Sequence, residues 1–301
     1  MNGHYQQHSV PVASGRVLEA LVDRAHGRAL AFHWGTPSAA VWFEPLARAA
    51  EQADLRLVTY SRPGYDGSTP HPGRRVADAA ADVTTILDAI GENTFLSLGW
   101  SGGGPHSLAC GAALPERCVG AATIAGVAPY PAAGLDWMDG MGSENVDEFS
   151  AAIKGEAALR PLLETLAADL KGIQGPDVAA ALGSLVSNVD KAALTGEFAE
   201  TMAASLRGAV ERGIEGWLED DLAFATDWGF SLRDISVPVS IWQGAEDRMV
   251  PYGHGQWLAK QIPGVRAHLF PEHGHLSLGV GLIDEIVREL AQAPARAATR
   301  R

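Results

Sequence analysis

The chain has 301 residues, 47% of them hydrophobic and 20% charged, with a formal net charge of −13. This is enough for one large α/β domain with an insertion, and an acidic balance without a basic patch argues against a nucleic-acid partner. Cys110 and Cys118 are the only cysteines, too few for a disulfide framework, and both are expected to be small buried hydrophobes. The first eight residues, Met1 to His8, lack the basic start and apolar run of a signal peptide. The longest apolar stretch, around Val119 to Ala128, is about half of the ~20 residues that span a bilayer. The expectation is a cytoplasmic protein, monomer or homodimer, with a small-molecule substrate and no membrane partner.

In chain order, Val17 to Asp23 and Arg28 to Trp34 are apolar runs joined at Ala25-His26-Gly27, which reads as a hairpin. Helical periodicity covers Ala40 to Gln52. Leu55 to Tyr60 reads as a strand ending in the turn Ser61-Arg62-Pro63-Gly64-Tyr65-Asp66-Gly67, and Arg75 to Ile90 as an amphipathic helix closed by Gly91. The apolar run Phe95, Leu96, Leu98 meets Gly99-Trp100-Ser101-Gly102-Gly103, followed by a helical segment from about Gly103 to Leu114, and Val119 to Ala125 reads as a buried strand.

Residues 132–232 differ in character. They carry 18 Asp/Glu against 6 Lys/Arg, a balance of −12 that holds nearly all the excess charge. Apolar spacing of three and four residues predicts helices over Ala157 to Leu170, Asp177 to Val186 and Glu197 to Val210. The charges are expected to be mainly the solvated faces of those helices. Strand and helix then alternate again: Val237 to Trp242, Gly253 to Gln261, Val265 to Phe270 and Gly279 to Gln292, with a disordered tail from Pro294 to Arg301. Such alternation implies an α/β fold with a mostly parallel, doubly covered sheet. It divides the chain into a first core part (1–131), a helical insertion (132–232) and a second core part (233–301).

The spacing Gly-x-Ser-x-Gly between a strand and a helix has a mechanical reason. The turn strains the backbone at Ser101, and side chains at 99 and 103 would collide with neighbouring backbone. Ser101 Oγ is thereby exposed, and the Gly102 N–H sits at a helix start, where it can meet a developing oxyanion. Such a nucleophile needs a base and an orienting acid on loops after later strands. Asp247 follows the strand ending at Trp242, and His275 follows the strand ending at Phe270.

Five segments, His33-Trp34-Gly35-Thr36-Pro37, Ser61-Arg62-Pro63-Gly64-Tyr65, Gly99-Trp100-Ser101-Gly102-Gly103, Asp247-Arg248-Met249-Val250-Pro251 and Gly274-His275-Leu276-Ser277, together resemble the α/β-hydrolase superfamily in the branch with a helical cap. The likeness runs from about Val17 to Gln292. It implies Ser101 as nucleophile, His275 as base, Asp247 as orienting acid, and an oxyanion hole from the N–H groups of Thr36 and Gly102. Trp34 stands where the family has His, and His33 one place earlier offers a shifted register. No cofactor or metal is expected. Trp34, Trp100, Trp137, Met138, Met141, Trp217 and Phe224 are candidates for an apolar pocket. The implied activity is serine hydrolysis of a small to medium, fairly apolar ester, lactone or amide through an acyl-enzyme. The same triad also serves C–C bond hydrolysis and perhydrolysis, and the fold hosts non-enzymatic ligand-binding proteins.

Overall fold

A computed structural model describes residues 4–13 and 15–293 of the chain. Eight strands form one sheet in the order β1-β2-β4-β3-β5-β6-β7-β8. They are β1 (Tyr5–Pro11), β2 (Val17–Asp23), β3 (Arg28–His33), β4 (Leu55–Tyr60), β5 (Phe95–Trp100), β6 (Cys118–Ile124), β7 (Val239–Gly244) and β8 (Arg266–Phe270). From β4 onward along the sheet the pairings are parallel, whereas β1–β2 and β2–β4 are antiparallel.

The apolar runs of the central strands are continuous because both faces are covered. Leu30 and Phe32 of β3 pack on one face with α1 (Glu44–Gln52) and α11 (His275–Ala291). Ala29 and Ala31, pointing the other way, pack with Val83, Ile86 and Leu87 of α2 (Ala79–Ala89). On that face also lie α3 (Gly103–Ala113) and α10 (Tyr252–Gln261). Cys110 and Cys118 are buried and unbridged, and burial pushes the Cys118 thiol up to about 12.

The expected hairpin between Val17 to Asp23 and Arg28 to Trp34 does not form. β2 pairs with β1 and β4, while β3 pairs with β4 and β5. A strand that is apolar on both faces belongs in the sheet interior, so the chain steps across β4. Gly27 makes the step at φ +146°, where a Cβ would come within 2.4 Å of Asp54 O. The place beside β2 is taken by β1, whose polar sequence buries only Val10 and so carries no alternating signature.

Between β6 and β7 come α4 (Ser143–Lys154), α5 (Glu156–Leu170), α6 (Val178–Ala181), α7 (Asn188–Ala193), α8 (Gly196–Val210) and α9 (Glu215–Phe224). Several boundaries differ from expectation. The helix expected over Arg75 to Ile90 opens with a 3-10 turn over Val76–Asp78 and is α only over Ala79–Ala89, and the strand expected over Val237 to Trp242 is Val239–Gly244. α1 starts at Glu44 rather than Ala40, with a proline in its first turn. The helix expected over Asp177 to Val186 is α only over Val178–Ala181, and Gly183 at φ +53° interrupts it. α11 begins at His275, four residues before Gly279. No helix among the described residues is long and apolar enough to cross a membrane, and the expected tail from Pro294 to Arg301 lies outside the described residues.

Candidate active site

The end of β5 turns into α3 at Ser101, whose φ is +56°. A side chain rarely adopts this region, and the surroundings enforce it. A Cβ at Gly99 would lie 2.1 Å from Gly103 O, and one at Gly103 would lie 2.0 Å from His33 O. Only glycine fits at either position. The Ser101 N–H donates to Ile124 O at 2.8 Å, tying the turn to β6.

Thr36 and Gly102 are neighbours: a Cβ on Gly102 would come within 2.5 Å of Thr36 Oγ1. The preceding Gly35 abuts the serine itself, since a Cβ there would lie 3.2 Å from Ser101 Cβ and 3.7 Å from Oγ. The His33 side chain points elsewhere, towards Ser97 Oγ at 3.1 Å and Tyr60 Oη at 3.3 Å, and burial holds it well below 6.5. Trp34, Gly35 and Thr36 all line the cavity beside Ser101.

His275 Nδ1 is 2.8 Å from Asp247 Oδ2. Asp247 is 4% exposed, and its Oδ1 accepts the N–H groups of Met249 and Val250 at 2.8 Å each. This carboxylate is therefore fixed by its own turn before it meets the imidazole. Burial works to lower the His275 pKa, but the charge and hydrogen bond of Asp247, with the charge of Asp190, outweigh it and raise the group above 6.5. His273, by contrast, packs its ring edge-on against Phe270.

Ser101 and His275 open into a cavity of about 430 Å³. Its floor includes Trp34, Thr36 and Trp100, and its roof comes from the helices between β6 and β7: Glu144 and Glu148 of α4, Leu166 and Asp169 of α5, Ala181 of α6, Met202 and Leu206 of α8, Trp217 of α9. No lysine or arginine is among the described residues lining it. Of the expected pocket residues, Trp34, Trp100 and Trp217 line the cavity. Trp137, Met138 and Met141 do not. Trp137 is 5% exposed and donates its indole N–H to Ala128 O at 2.8 Å, while Met138 and Met141 pack against the same hydrophobic cluster. Phe224 is likewise core, its ring tilted at 46° to that of His106.

A family profile described as alpha/beta hydrolase fold matches residues 25–282. The chain belongs to the α/β-hydrolase family. Among curated relatives, the pimeloyl-(acyl-carrier protein) methyl ester esterase of Aromatoleum aromaticum is 26% identical over 230 residues, 74% of this chain and 81% of that protein. The 2-hydroxy-6-oxononadienedioate/2-hydroxy-6-oxononatrienedioate hydrolase of Cupriavidus pinatubonensis is 24% identical over 259 residues, 81% of this chain and 78% of that protein. An alpha/beta hydrolase fold protein from Nakamurella multipartita superposes with a TM-score of 0.65 over 96% of this chain and 99% of that one, at 23% identity, a likeness of fold.

This α/β hydrolase also holds buried carboxyl groups that no sequence motif marked. The acidic residues of the inserted helices are not all solvated: Glu148, Asp190, Glu219, Asp220 and Asp221 are buried. Asp220 of α9 accepts from Tyr65 Oη at 2.9 Å and Thr36 Oγ1 at 2.8 Å and pairs with Arg62 and Arg74 at 2.6 Å each. Burial opposes its ionisation, yet Arg62 and Arg74 hold its carboxyl well below 3.8. Arg62 in turn donates to Trp34 O and to Gly35 O, so it clamps the loop that carries Thr36. Glu148 accepts the Trp217 indole N–H at 2.8 Å and faces Asp221. Burial, followed by the Glu148 charge, raises the Asp221 carboxyl well above 3.8.

Proposed function

We propose that this hydrolase cleaves small to medium, fairly apolar carboxylic esters, with lactones and amides as related substrates, through an acyl-enzyme on Ser101. The observation that carries the reading is the strained Ser101 turn opening into the same cavity as a His275 already hydrogen-bonded to a buried Asp247. With Nδ1–H directed to Asp247, Nε2 is left as the acceptor for the Ser101 proton. Oγ attacks the carbonyl carbon, and the oxygen that gains charge is met by the N–H groups of Gly102 and Thr36. The imidazolium then returns its proton to the leaving alkoxide as the C–O bond breaks. Water, deprotonated by His275, attacks the acyl group and releases Ser101. Residues 132–232 act as the cap over a core formed by the described residues on either side of them.

The cavity chemistry supports the ester reading when set beside the activities of relatives. One is named as a methyl ester esterase and another as acting on a dioate. Glu144, Glu148 and Asp169 in the wall, with no facing lysine or arginine, oppose a second carboxylate and favour an uncharged acyl or alcohol group. The test is a panel of short- and medium-chain aryl and alkyl esters together with a fluorophosphonate probe. Wild type should hydrolyse uncharged esters and take up the probe. In Ser101→Ala, turnover should fall by roughly 10⁴ to 10⁶ and labelling should vanish. Labelling that persists in this variant, with the fold intact, overturns the assignment.

A further inference from the structure

α11 begins at His275, and a helix start leaves its first N–H groups without intrahelical partners. A side chain just before the helix ordinarily meets them, but position 274 is glycine and has none. The acceptor comes instead from far away in the chain. Asp190, on the short helix α7 of the insertion and 0% exposed, accepts the N–H of His275 through Oδ2 at 2.9 Å. Its Oδ1 accepts those of Leu276 and Ser277 at 2.8 Å each. The fit leaves no slack: a Cβ on Gly274 would lie 2.4 Å from Asp190 Oδ2. Trp100, next to Ser101, donates its indole N–H to His275 O at 3.1 Å. The residue assigned as base is therefore held at its N–H by the insertion and at its carbonyl by the nucleophile's neighbour.

We propose that Asp190 is a positioning residue for His275, through which the seating of the inserted helices on the core sets the placement and basicity of the base. The proposal rests on the hydrolase reading above. Its physics is that of a helix start. Three N–H dipoles and the positive end of α11 would disfavour an imidazolium on the first residue of that helix, and the Asp190 carboxylate offsets them. The charges that act on His275 are those of Asp247 from the loop after β7 and Asp190 from α7, and Glu144, Glu148 and Asp169 line the same cavity. Ser101 and Trp100, on the β5 side, carry no charge.

The experiment compares wild type with Asp190→Asn and Asp190→Glu. Asp190→Asn keeps one acceptor oxygen and loses the charge. In that variant kcat should fall about 10- to 100-fold, in the range expected when a reacting group is misplaced by about 1 Å. KM should stay within about twofold, and the acid limb of the kcat/KM profile should move to lower pH. Asp190→Glu, which restores the charge, should bring that limb back towards wild type. An NMR titration of the His275 ring, independent of turnover, should show the same movement. Wild type that neither turns over esters nor takes up a fluorophosphonate counts against the hydrolase reading, and the NMR arm then decides the role of Asp190. A folded Asp190→Asn with unchanged kcat and an unchanged His275 titration overturns the proposal. So does failure of both variants to fold, which would make Asp190 a residue that holds the fold rather than the base.

Discussion

The guanidinium of Arg62 and the carboxylate of Asp220 meet at 2.6 Å, 158 residues apart in sequence, with side-chain exposures of 2% and 0%. The pair joins the loop after β4 to α9 of the insertion. Because Arg62 also holds the backbone carbonyls of Trp34 and Gly35, it stands between the insertion and the loop assigned to the oxyanion hole. Arg74 shares the same carboxylate, so removing Asp220 strands two buried cations.

Asp220→Asn should therefore lower unfolding free energy by about 3–5 kcal/mol, the range for breaking a buried ion pair from one side. Urea denaturation followed by tryptophan fluorescence measures it. A loss below about 1 kcal/mol would mean that water reaches the guanidinium groups and that the cluster adds little.

The two nearby histidines should behave differently, because His275 is bonded to Asp247 whereas His273 packs on Phe270. His275→Ala should abolish ester turnover, and His273→Ala should leave it within a few-fold. The base works only when neutral. With its pKa raised above 6.5 by Asp247 and Asp190, kcat/KM should rise with pH through a value above 6.5 and fall away below it. Steady-state rates from pH 5 to 9 provide the check. Loss of turnover in His273→Ala alone would overturn the assignment.

Acid stability follows from a histidine outside the site. His254 accepts the Ala128 N–H at Nδ1 (3.0 Å), leaving Nε2–H to donate to Trp137 O (2.8 Å), so it is held neutral. Burial lowers its pKa to about 4. Unfolding releases this restraint, so below about pH 6.5 the unfolded chain binds a proton that the folded one does not. Stability from this group is present at neutral pH and declines as pH falls from 6.5 towards 4, by about 3 kcal/mol over the window. In His254→Gln the dependence of unfolding free energy on pH over this window should flatten by up to about one proton. Parallel curves for variant and wild type would show that His254 does not contribute.

Charge near the cavity should be visible in salt. Glu144, Glu148 and Asp169 repel a carboxylate-bearing ester, and that repulsion fades as the Debye length shortens to ~10 Å at 0.1 M. The ratio of kcat/KM for a carboxylate-bearing ester to that for its neutral analogue should climb from low to high salt. A constant ratio would assign the acidic surface to solubility alone.

The local grammar of the chain determined the sheet, its alternation with helices and the residues assigned to catalysis. Ser101 stands directly after β5, and Asp247 and His275 stand just past the ends of β7 and β8, so the order of strands and loops carries the assignment; Gly99 is required by a collision with nearby Gly103 O, whereas Gly103 is required by His33 O at the end of the neighbouring strand β3. Only the tertiary structure decided which of β1 and β3 would pair with β2, because a hairpin signal reports turn chemistry and not which strand must be buried on both faces. It also decided that Trp217 reaches the cavity while Trp137, Met138 and Met141 pack into core, since apolar periodicity marks a buried face without saying what buries it. Above all it separated Asp190 and Asp220 from the solvated acids of the same helices. In sequence they are ordinary helix carboxylates. Their partners, the first turn of α11 and the Arg62–Arg74 pair, lie on other elements and are brought within 3 Å only when the insertion settles on the sheet.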